Sequence, residues 1–211
     1  KEKLYIENFK YFNYYYNWYN RVMKIEVFLS QYINKLSKSI LSSNKKNLNN
    51  AALEIINTIK RNGTIFVCGN GGSAAIANHY VCDFLKFFRQ NTTYKPKIVS
   101  LSNNIETITA IANDIDYSKI FEYQAENLCE KKDLLIIISS SGNSKNITNI
   151  VNFAKKNEIK SIGFSGFKGG SLKKKSDISI HINSNNYGIS EDAHHILMHV
   201  LLQYLIKYSK K

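Results

Sequence analysis

The chain has 211 residues, of which 44% are hydrophobic, and its 29 basic and 16 acidic residues give a formal net charge of +13 at pH 7. This length and apolar share predict one globular domain with a sizeable core and room for a helical extension. The lysines are scattered along the chain, and no Arg-rich stripe or nucleic-acid motif accompanies them. The excess of basic residues is therefore best explained by an A/T-rich genome, since the codons of Lys, Asn and Ile are rich in A and T. We expect no nucleic-acid partner.

The spacing of the cysteines and the hydropathy of the chain indicate the cellular compartment of the protein. The three cysteines, Cys68, Cys82 and Cys129, form no CxxC pair, which argues against a disulfide framework and against a thiolate zinc site. They are typical of reduced thiols in a cytoplasmic protein. No apolar run reaches the roughly 18 residues of a membrane span, and no signal-peptide pattern is visible. We therefore expect a cytoplasmic protein with no membrane partner.

Helices are predicted for the first part of the chain. Residues 1–24 are dense in aromatic residues broken by Asn and Lys, which predicts a helical extension that packs its rings on a neighbour; base stacking is the less favoured alternative. Residues 25–211 are predicted to form the main domain. Apolar residues recur at helical spacing in two further segments: Ile25, Phe28, Tyr32, Leu36 and Ile40, then Leu48, Ala52, Ile56 and Ile59. Gly63 stands where the second of these helices would stop.

The rhythm then changes to short runs rich in β-branched residues, separated by segments of helical length. Five strands are predicted, at 64–68, 96–101, 133–139, 160–165 and 177–182. This alternation is typical of a parallel sheet that is covered by helices on both faces. A last helix is predicted from about Glu191 to Tyr208, with Ile196, Val200, Leu201 and Leu205 on its apolar side.

A glycine-rich loop follows the first strand, in the stretch "CGNGGS". Gly71 and Gly72 allow the backbone to approach a ligand, and the helix that follows offers free N–H groups. The spacing does not match a dinucleotide-binding GxGxxG, and no Gly-Lys-Ser/Thr follows as in a P-loop. Asn70 and Ser73 add an amide and a hydroxyl, so the loop is a candidate anion site, although many tight turns look similar.

A second polar loop, "SSSGNS", follows the third predicted strand and precedes a helix that begins near Lys145. Its hydroxyls belong to Ser139, Ser140, Ser141 and Ser144. The six residues of the loop include no Lys or Arg, so hydroxyl and backbone N–H groups would have to bind a phosphate, which suits a monoester on a neutral sugar. By itself the loop is equally typical of a polar turn with a serine cap. Two such loops at the carboxyl ends of parallel strands favour a phosphosugar site.

Carboxylates and imidazoles repeat at helical spacing in two places. His79 and Asp83 lie four residues apart after the glycine loop, and Glu191, His195 and His199 follow at steps of four on the last helix. Isolated histidines on helices are usually packed or surface residues. If the two helices converge, however, two imidazoles and two carboxylates would suit zinc or a similar divalent ion.

Four motifs in order, "CGNGGSAAIANH", "TAIANDIDYSKIFEYQ", "DLLIIISSSGNS" and "EDAHHILMH", resemble the SIS (sugar isomerase) fold, and most closely its phosphoheptose isomerase branch. The resemblance covers about residues 25–208. It implies an α/β three-layer sandwich with a five-stranded parallel sheet, plus N-terminal helices. It also implies a homotetramer with active sites between subunits, and one zinc ion per subunit.

The same resemblance assigns roles to residues. It implies that Asn70, Gly71, Gly72 and Ser73 and the serines Ser139, Ser140, Ser141 and Ser144 bind the phosphorylated sugar, with Asn113, Asp114 and Glu191 near the sugar. The implied metal ligands are His79, Asp83, Glu191 and His199, and the implied catalytic pair is Asp83 as base and His199 as its acid/base partner. The family usually has Glu at position 83 and Gln at position 191, so this chain departs from the pattern at both places.

The implied reaction is the isomerisation of sedoheptulose 7-phosphate to D-glycero-D-manno-heptose 7-phosphate, through an enediol and with help from a divalent metal. Such a product serves heptose synthesis for lipopolysaccharide or capsule. Two alternatives stay open at this point. One is a related isomerase of another sugar phosphate. The other is a non-catalytic SIS adaptor for a replication-initiation protein, which the acid at position 83 disfavours.

Overall fold

The computed structural model describes residues 24–209, and the chain divides into two compact units, residues 1–37 and 38–211. The predicted aromatic extension over residues 1–24 lies outside the described residues except for Lys24. The described part of the first unit holds the beginning of helix α1 (Ile25–Leu41), which confirms the first predicted apolar helix. Of its apolar positions Leu36 is buried, whereas Ile25 and Phe28 are exposed.

The second unit is built on five parallel strands. They are β1 (Thr64–Gly69), β2 (Lys97–Ser100), β3 (Leu134–Ser139), β4 (Lys160–Ser165) and β5 (Ile178–His181). Their order in the sheet is β2-β1-β3-β4-β5, and every neighbouring pair is parallel. All five predicted strands are thus present, as expected for short β-branched runs buried on both faces.

Helices cover both faces of this sheet. They are α2 (Lys45–Lys60), α3 (Gly72–Cys82), α4 (Ile105–Asp114), α5 (Glu122–Leu128), α6 (Lys145–Lys156), α7 (Gly170–Lys175) and α8 (Tyr187–Ser209). A 3₁₀ turn, Tyr117–Lys119, lies between α4 and α5. Helix α3 continues as a π-helical segment, Asp83–Phe88, and a final α-helical turn, Arg89–Asn91. The α/β architecture predicted from the sequence is confirmed.

The core on one face of the sheet follows from strand alternation. Phe66 and Cys68 of β1 point to the same side as Leu135 and Ile137 of β3 and belong to one buried cluster with the apolar residues of α6. The intervening residues, such as Ile65, are equally buried because helices also cover the opposite face. Burial on both sides explains why these strands read as continuous apolar runs.

Helix α2 ends at Lys60, shortly before Gly63 as the sequence predicts, although Gly63 is not the residue that adopts the left-handed conformation. The residue in the left-handed conformation is Asn62, with φ of 59°, and Gly63 N donates a hydrogen bond to Thr58 O at 2.9 Å. Gly63 is needed for another reason: a Cβ added there would lie 2.3 Å from the carbonyl oxygen of Lys132. The glycine therefore permits close backbone approach next to β1, while Asn62 reverses the chain.

The buried side of α8 also differs from the prediction. Leu201 and Leu205 are buried as expected, but Ile196 and Val200 are 37% and 50% exposed. The buried face runs instead through His194 and Leu197, one position away. No helix within residues 24–209 combines the length and the apolar character needed to cross a bilayer.

Strand order determines where a ligand can sit. The chain leaves β1 toward β2 on one side, and later returns to β3 on the other side of β1. In the parallel register Gly69 pairs with Ile138, so β1 and β3 end at the same edge of the sheet. This reversal of winding direction is the place where open α/β sheets form a binding crevice, and both polar loops begin there.

Candidate active site

The glycine loop after β1 leaves an open backbone surface. Gly71 has φ of 53° and ψ of −123°, a conformation that side chains strongly disfavour, and a Cβ added there would meet nothing within 4 Å. Ser73 is buried, with 3% of its surface exposed, and its backbone N–H donates to Asn70 O at 3.0 Å. A ligand can therefore approach the loop at Gly71, at the N-terminus of α3.

The serine loop after β3 contains one buried hydroxyl that has no hydrogen-bond partner. The Oγ of Ser139 accepts a hydrogen bond from Gly142 N at 3.1 Å, and that of Ser141 accepts from Asn143 N at 3.4 Å. The Oγ of Ser140 is buried and has no hydrogen-bond partner. Ser144 caps α6 without a side-chain hydrogen bond to the helix. The N–H of Ile147, in the first turn of α6, already donates to Asn146 Oδ1 at 2.9 Å, so an anion at this loop would bind through the Ser140 hydroxyl and the N–H groups of Lys145 and Asn146 at the start of the helix.

An amide pair joins the two loops. Asn70 Nδ2 donates to Asn146 Oδ1, and Asn146 Nδ2 donates back to Asn70 Oδ1, both at 2.9 Å. The Tyr117 hydroxyl donates to the same Oδ1 of Asn70 at 3.1 Å. Asn146 and Tyr117 were not among the predicted site residues. Their signals were their positions, Asn146 in the first turn after the serine loop and Tyr117 next to the predicted Asn113 and Asp114.

Asn113 and Asp114 lie at the exposed end of α4, where Asn113 Nδ2 donates to Asp114 Oδ1 at 2.7 Å. Within residues 24–209 neither makes a hydrogen bond to the two loops. Their predicted place near the sugar is not tested by these contacts, and it stays a prediction.

A cluster of imidazoles and one carboxylate forms where α3 meets α8. His79 Nε2 lies 3.1 Å from His199 Nε2, and the Oδ2 of Asp83 lies 3.5 and 3.3 Å from these two nitrogens. The ring of His195 lies 4.8 Å from that of His79 and 4.5 Å from that of His199, measured between centroids. We call these four side chains the histidine cluster. The predicted convergence of the two helices is therefore present.

Asp83 stands at the start of the π-helical segment. The wider turn is held by Phe84 and Phe88, which are both fully buried, with ring centroids 5.0 Å apart. Such insertions in α-helices occur frequently at functional sites. Here the segment begins at the carboxylate that contacts two imidazoles, one of them on another helix.

Glu191 lies away from this cluster. A Cβ added at Gly72 would come within 2.4 Å of the Oε2 of Glu191, so this carboxylate packs directly over the glycine loop. Gly72 precedes His79 by seven residues, which is about 10 Å along a helix. Glu191 therefore lies level with the start of α3, whereas His195 and His199 lie one and two turns further along.

Burial affects the acid–base behaviour of this region. The pKa of His195 is lowered, first because the ring is partly buried and then because His199 and His79 are close. The pKa of the Tyr80 hydroxyl is raised by burial and by the neighbouring Asp83. His195 consequently stays neutral to lower pH than an exposed histidine, with one ring nitrogen available as an acceptor or ligand.

The residues of the cluster fit a divalent metal. One ligand atom from each of His79, His195 and His199 can be chosen so that all lie within 4.8 Å of one another. The Oδ2 of Asp83 and the Nε2 of His195 are buried and make no hydrogen bond. Buried polar atoms without partners are costly, and a cation between them would satisfy both.

Comparisons with known proteins identify the family and the fold. The SIS domain family matches residues 29–166. The chain is 37% identical over 147 residues to a phosphoheptose isomerase of Helicobacter pylori, covering 70% of this chain and 76% of that protein. It resembles the solved phosphoheptose isomerase structures of Neisseria gonorrhoeae and Francisella tularensis, each with a TM-score of 0.78, at 24% and 27% identity. These alignments cover 86% and 87% of this chain, respectively, and 96% of each solved chain.

The five-stranded parallel sheet with helices on both faces is the SIS fold. The chain belongs to the SIS domain family, within its phosphoheptose isomerase branch. The resemblance noted in the sequence is thus confirmed.

Proposed function

We propose that the protein is an aldose–ketose isomerase that converts sedoheptulose 7-phosphate to D-glycero-D-manno-heptose 7-phosphate. The observation that carries this proposal is the contact of Glu191 with Gly72. It sets α8 alongside α3, so that the glycine loop lies at the start of α3 and the histidine cluster lies about two turns further along the same two helices. A phosphate site and a proton-transfer site can then act on one substrate.

The phosphate would bind at the two loops. The buried hydroxyl of Ser140 lacks a partner, and the side chain of Ser144 does not cap α6, which leaves the N–H groups of Lys145 and Asn146 for the phosphate. Hydrogen bonds to a charged phosphate are stronger than those between neutral groups, so these donors can hold a monoester. Their task is to position the substrate rather than to react with it.

The size of the gap suits a long sugar phosphate. The seven residues from Gly72 to His79 correspond to about 10 Å of helix. In an open-chain heptose 7-phosphate the phosphate and the C1–C2 pair stand at opposite ends of the carbon chain. A substrate held by the loops through its phosphate would therefore present C1 and C2 to Asp83 and His199.

The isomerisation moves a proton between C1 and C2 through an enediol, which requires a base at carbon and an acid at oxygen. We assign the base to Asp83, whose side chain is 16% exposed and whose Oδ2 faces the imidazoles, so that its other oxygen can take the proton. His199 is assigned the exchange of protons with the substrate oxygens. General acid–base groups of this kind typically contribute about 10²–10⁴-fold to the rate.

A zinc ion, one per subunit, is part of the proposal. The Asp83 Oδ2, which makes no hydrogen bond, and the close imidazoles support a cation at the histidine cluster. When bound, a divalent ion supplies Lewis-acid stabilisation of the negative charge that develops on the substrate oxygens.

We also propose a homotetramer in the cytoplasm with active sites between subunits. Val200, Tyr204 and Tyr208 of α8 are 50%, 44% and 67% exposed in the single chain, and such an apolar row supports burial against another subunit. The product would enter heptose synthesis for lipopolysaccharide or capsule.

The test is incubation of the purified protein with sedoheptulose 7-phosphate, with and without zinc, followed by detection of the aldose phosphate. Production of the aldose supports the proposal. No turnover under either condition would remove the assigned reaction. A thermal-shift screen over other sugar phosphates then shows whether the site acts on a different substrate.

A further inference from the structure

We propose that His195, and not Glu191, completes the metal site, so that the ion is held by three imidazoles and one carboxylate: His79, His195, His199 and Asp83. This departs from the ligand set implied by the family resemblance, in which position 191 is a ligand and position 195 is not. The inference deepens the proposed isomerase and depends on it only for the use to which the ion is put.

The distances within the cluster match a tetrahedral ion. Zinc bonds of 2.0–2.2 Å place neighbouring tetrahedral ligand atoms about 3.3–3.6 Å apart. The separations between His79 Nε2, His199 Nε2 and Asp83 Oδ2 are 3.1, 3.3 and 3.5 Å. Three corners of the coordination tetrahedron are therefore already in place.

His195 is placed to supply the fourth corner. Its ring lies 4.8 and 4.5 Å from those of His79 and His199, and the ligand atoms of the three histidines lie within 4.8 Å of one another. The Nε2 of His195 is buried and makes no hydrogen bond, which is costly unless that nitrogen has another partner.

The carboxylate of Glu191 packs at the glycine loop. It lies over Gly72 at the start of α3, and the backbone of His79 lies about 10 Å further along that helix. Glu191 and His199 are eight residues apart on α8, so their side chains start two turns apart. His195 is only one turn from His199 and shares its level with His79.

Replacing a carboxylate by an imidazole changes the ion that is preferred. Imidazole-rich sites suit zinc, copper and nickel, whereas carboxylate-rich sites suit magnesium and manganese. A site with one carboxylate also leaves a divalent ion with a net positive charge, where two carboxylates would neutralise it. We therefore expect zinc to bind strongly and magnesium weakly, with no sugar present.

The test measures zinc alone. Metal-free protein competes with a chromophoric chelator for zinc, and His195→Ala is expected to weaken zinc binding by at least about 10–100-fold. Glu191→Gln, the matched control one turn away, is expected to change the affinity by less than about threefold. Loss of affinity in Glu191→Gln with retention in His195→Ala would overturn the assignment. Equal melting temperatures of the metal-free proteins show that the fold is unchanged.

A second variant identifies the ligand directly. His195→Cys loaded with cobalt(II) is expected to gain a thiolate-to-metal absorption band in the near ultraviolet that the wild-type protein lacks, because a thiolate that binds the ion becomes part of its spectrum. No band, at a cobalt occupancy equal to that of wild type, would contradict ligation at position 195. Because neither measurement uses a sugar, failure of the isomerase proposal and failure of this one are distinguished.

Discussion

Asn70 and Asn146 exchange two side-chain amide hydrogen bonds of 2.9 Å each, and through them the loop after β1 is fastened to the first turn of the helix after β3. Asn146 is almost fully buried, with 2% of its surface exposed. The pair orients both halves of the proposed phosphate site at once.

Asn146→Ala should lower both stability and catalysis. Two neutral hydrogen bonds contribute about 1–3 kcal/mol to the free energy of unfolding, and loss of loop alignment should lower kcat/KM by about 10–100-fold. Urea unfolding and steady-state kinetics measure the two effects. Asn157→Ala, which removes an exposed asparagine at the other end of α6, is the control and should leave kcat/KM unchanged. A double-mutant cycle with Asn70→Ala should show strong coupling, and additive effects would argue against the bridge.

Ser140→Ala separates binding from folding. The hydroxyl is buried without a partner, so its removal should leave the free energy of unfolding unchanged or slightly higher. The variant also loses the proposed hydrogen bond from this hydroxyl to the charged phosphate. This loss should raise KM by about 10–100-fold with a smaller effect on kcat. Ser179→Ala, which removes another unpartnered buried hydroxyl in β5, is the matched control and should not affect KM. An unchanged KM in Ser140→Ala would place the phosphate elsewhere.

Asp83→Asn should nearly abolish turnover. The amide cannot accept the proton from carbon, and we expect kcat to fall by about 10²–10⁴-fold at saturating zinc. Asp83→Glu is the conservative control, because it keeps the carboxylate and restores the residue usual in the family, and it should retain measurable activity. Zinc content is determined in parallel, so that loss of metal is not mistaken for loss of the base. Near-normal turnover in Asp83→Asn would remove Asp83 as the base.

The buried His194 should make stability depend on pH. Burial lowers the pKa of this histidine to about 4, whereas its pKa in the unfolded chain is near the ordinary 6.5. Between these values the unfolded state binds the additional proton, so this contribution to stability is full above pH 6.5 and is lost as the pH falls toward 4. The loss is on the order of 3 kcal/mol.

His194→Leu removes the titrating group while keeping an apolar side chain of similar size. Urea unfolding of metal-free protein at several pH values between 7.5 and 4.5 should show a shallower decline for the variant than for wild type. Parallel declines would mean that His194 is protonated in the folded state or that other groups dominate.

The sequence alone was sufficient for the order and type of the elements. Strands that are buried on both faces read as continuous apolar runs, and both anion-binding loops stand out because Gly71 and the serine run are local features. The pairing of His79 with Asp83 was visible for the same reason, since spacing of four residues is a property of one helix. The family resemblance was visible in four such local stretches.

The tertiary structure decided which distant groups meet. Asn146 and Tyr117 reach Asn70 only because β1 and β3 are neighbours in the sheet. On α8, a helical repeat of four cannot tell Glu191 from His195, because both share a face with His199. The axial position of α8 relative to α3 makes that choice, and it is set by packing between helices rather than by either helix's own sequence pattern.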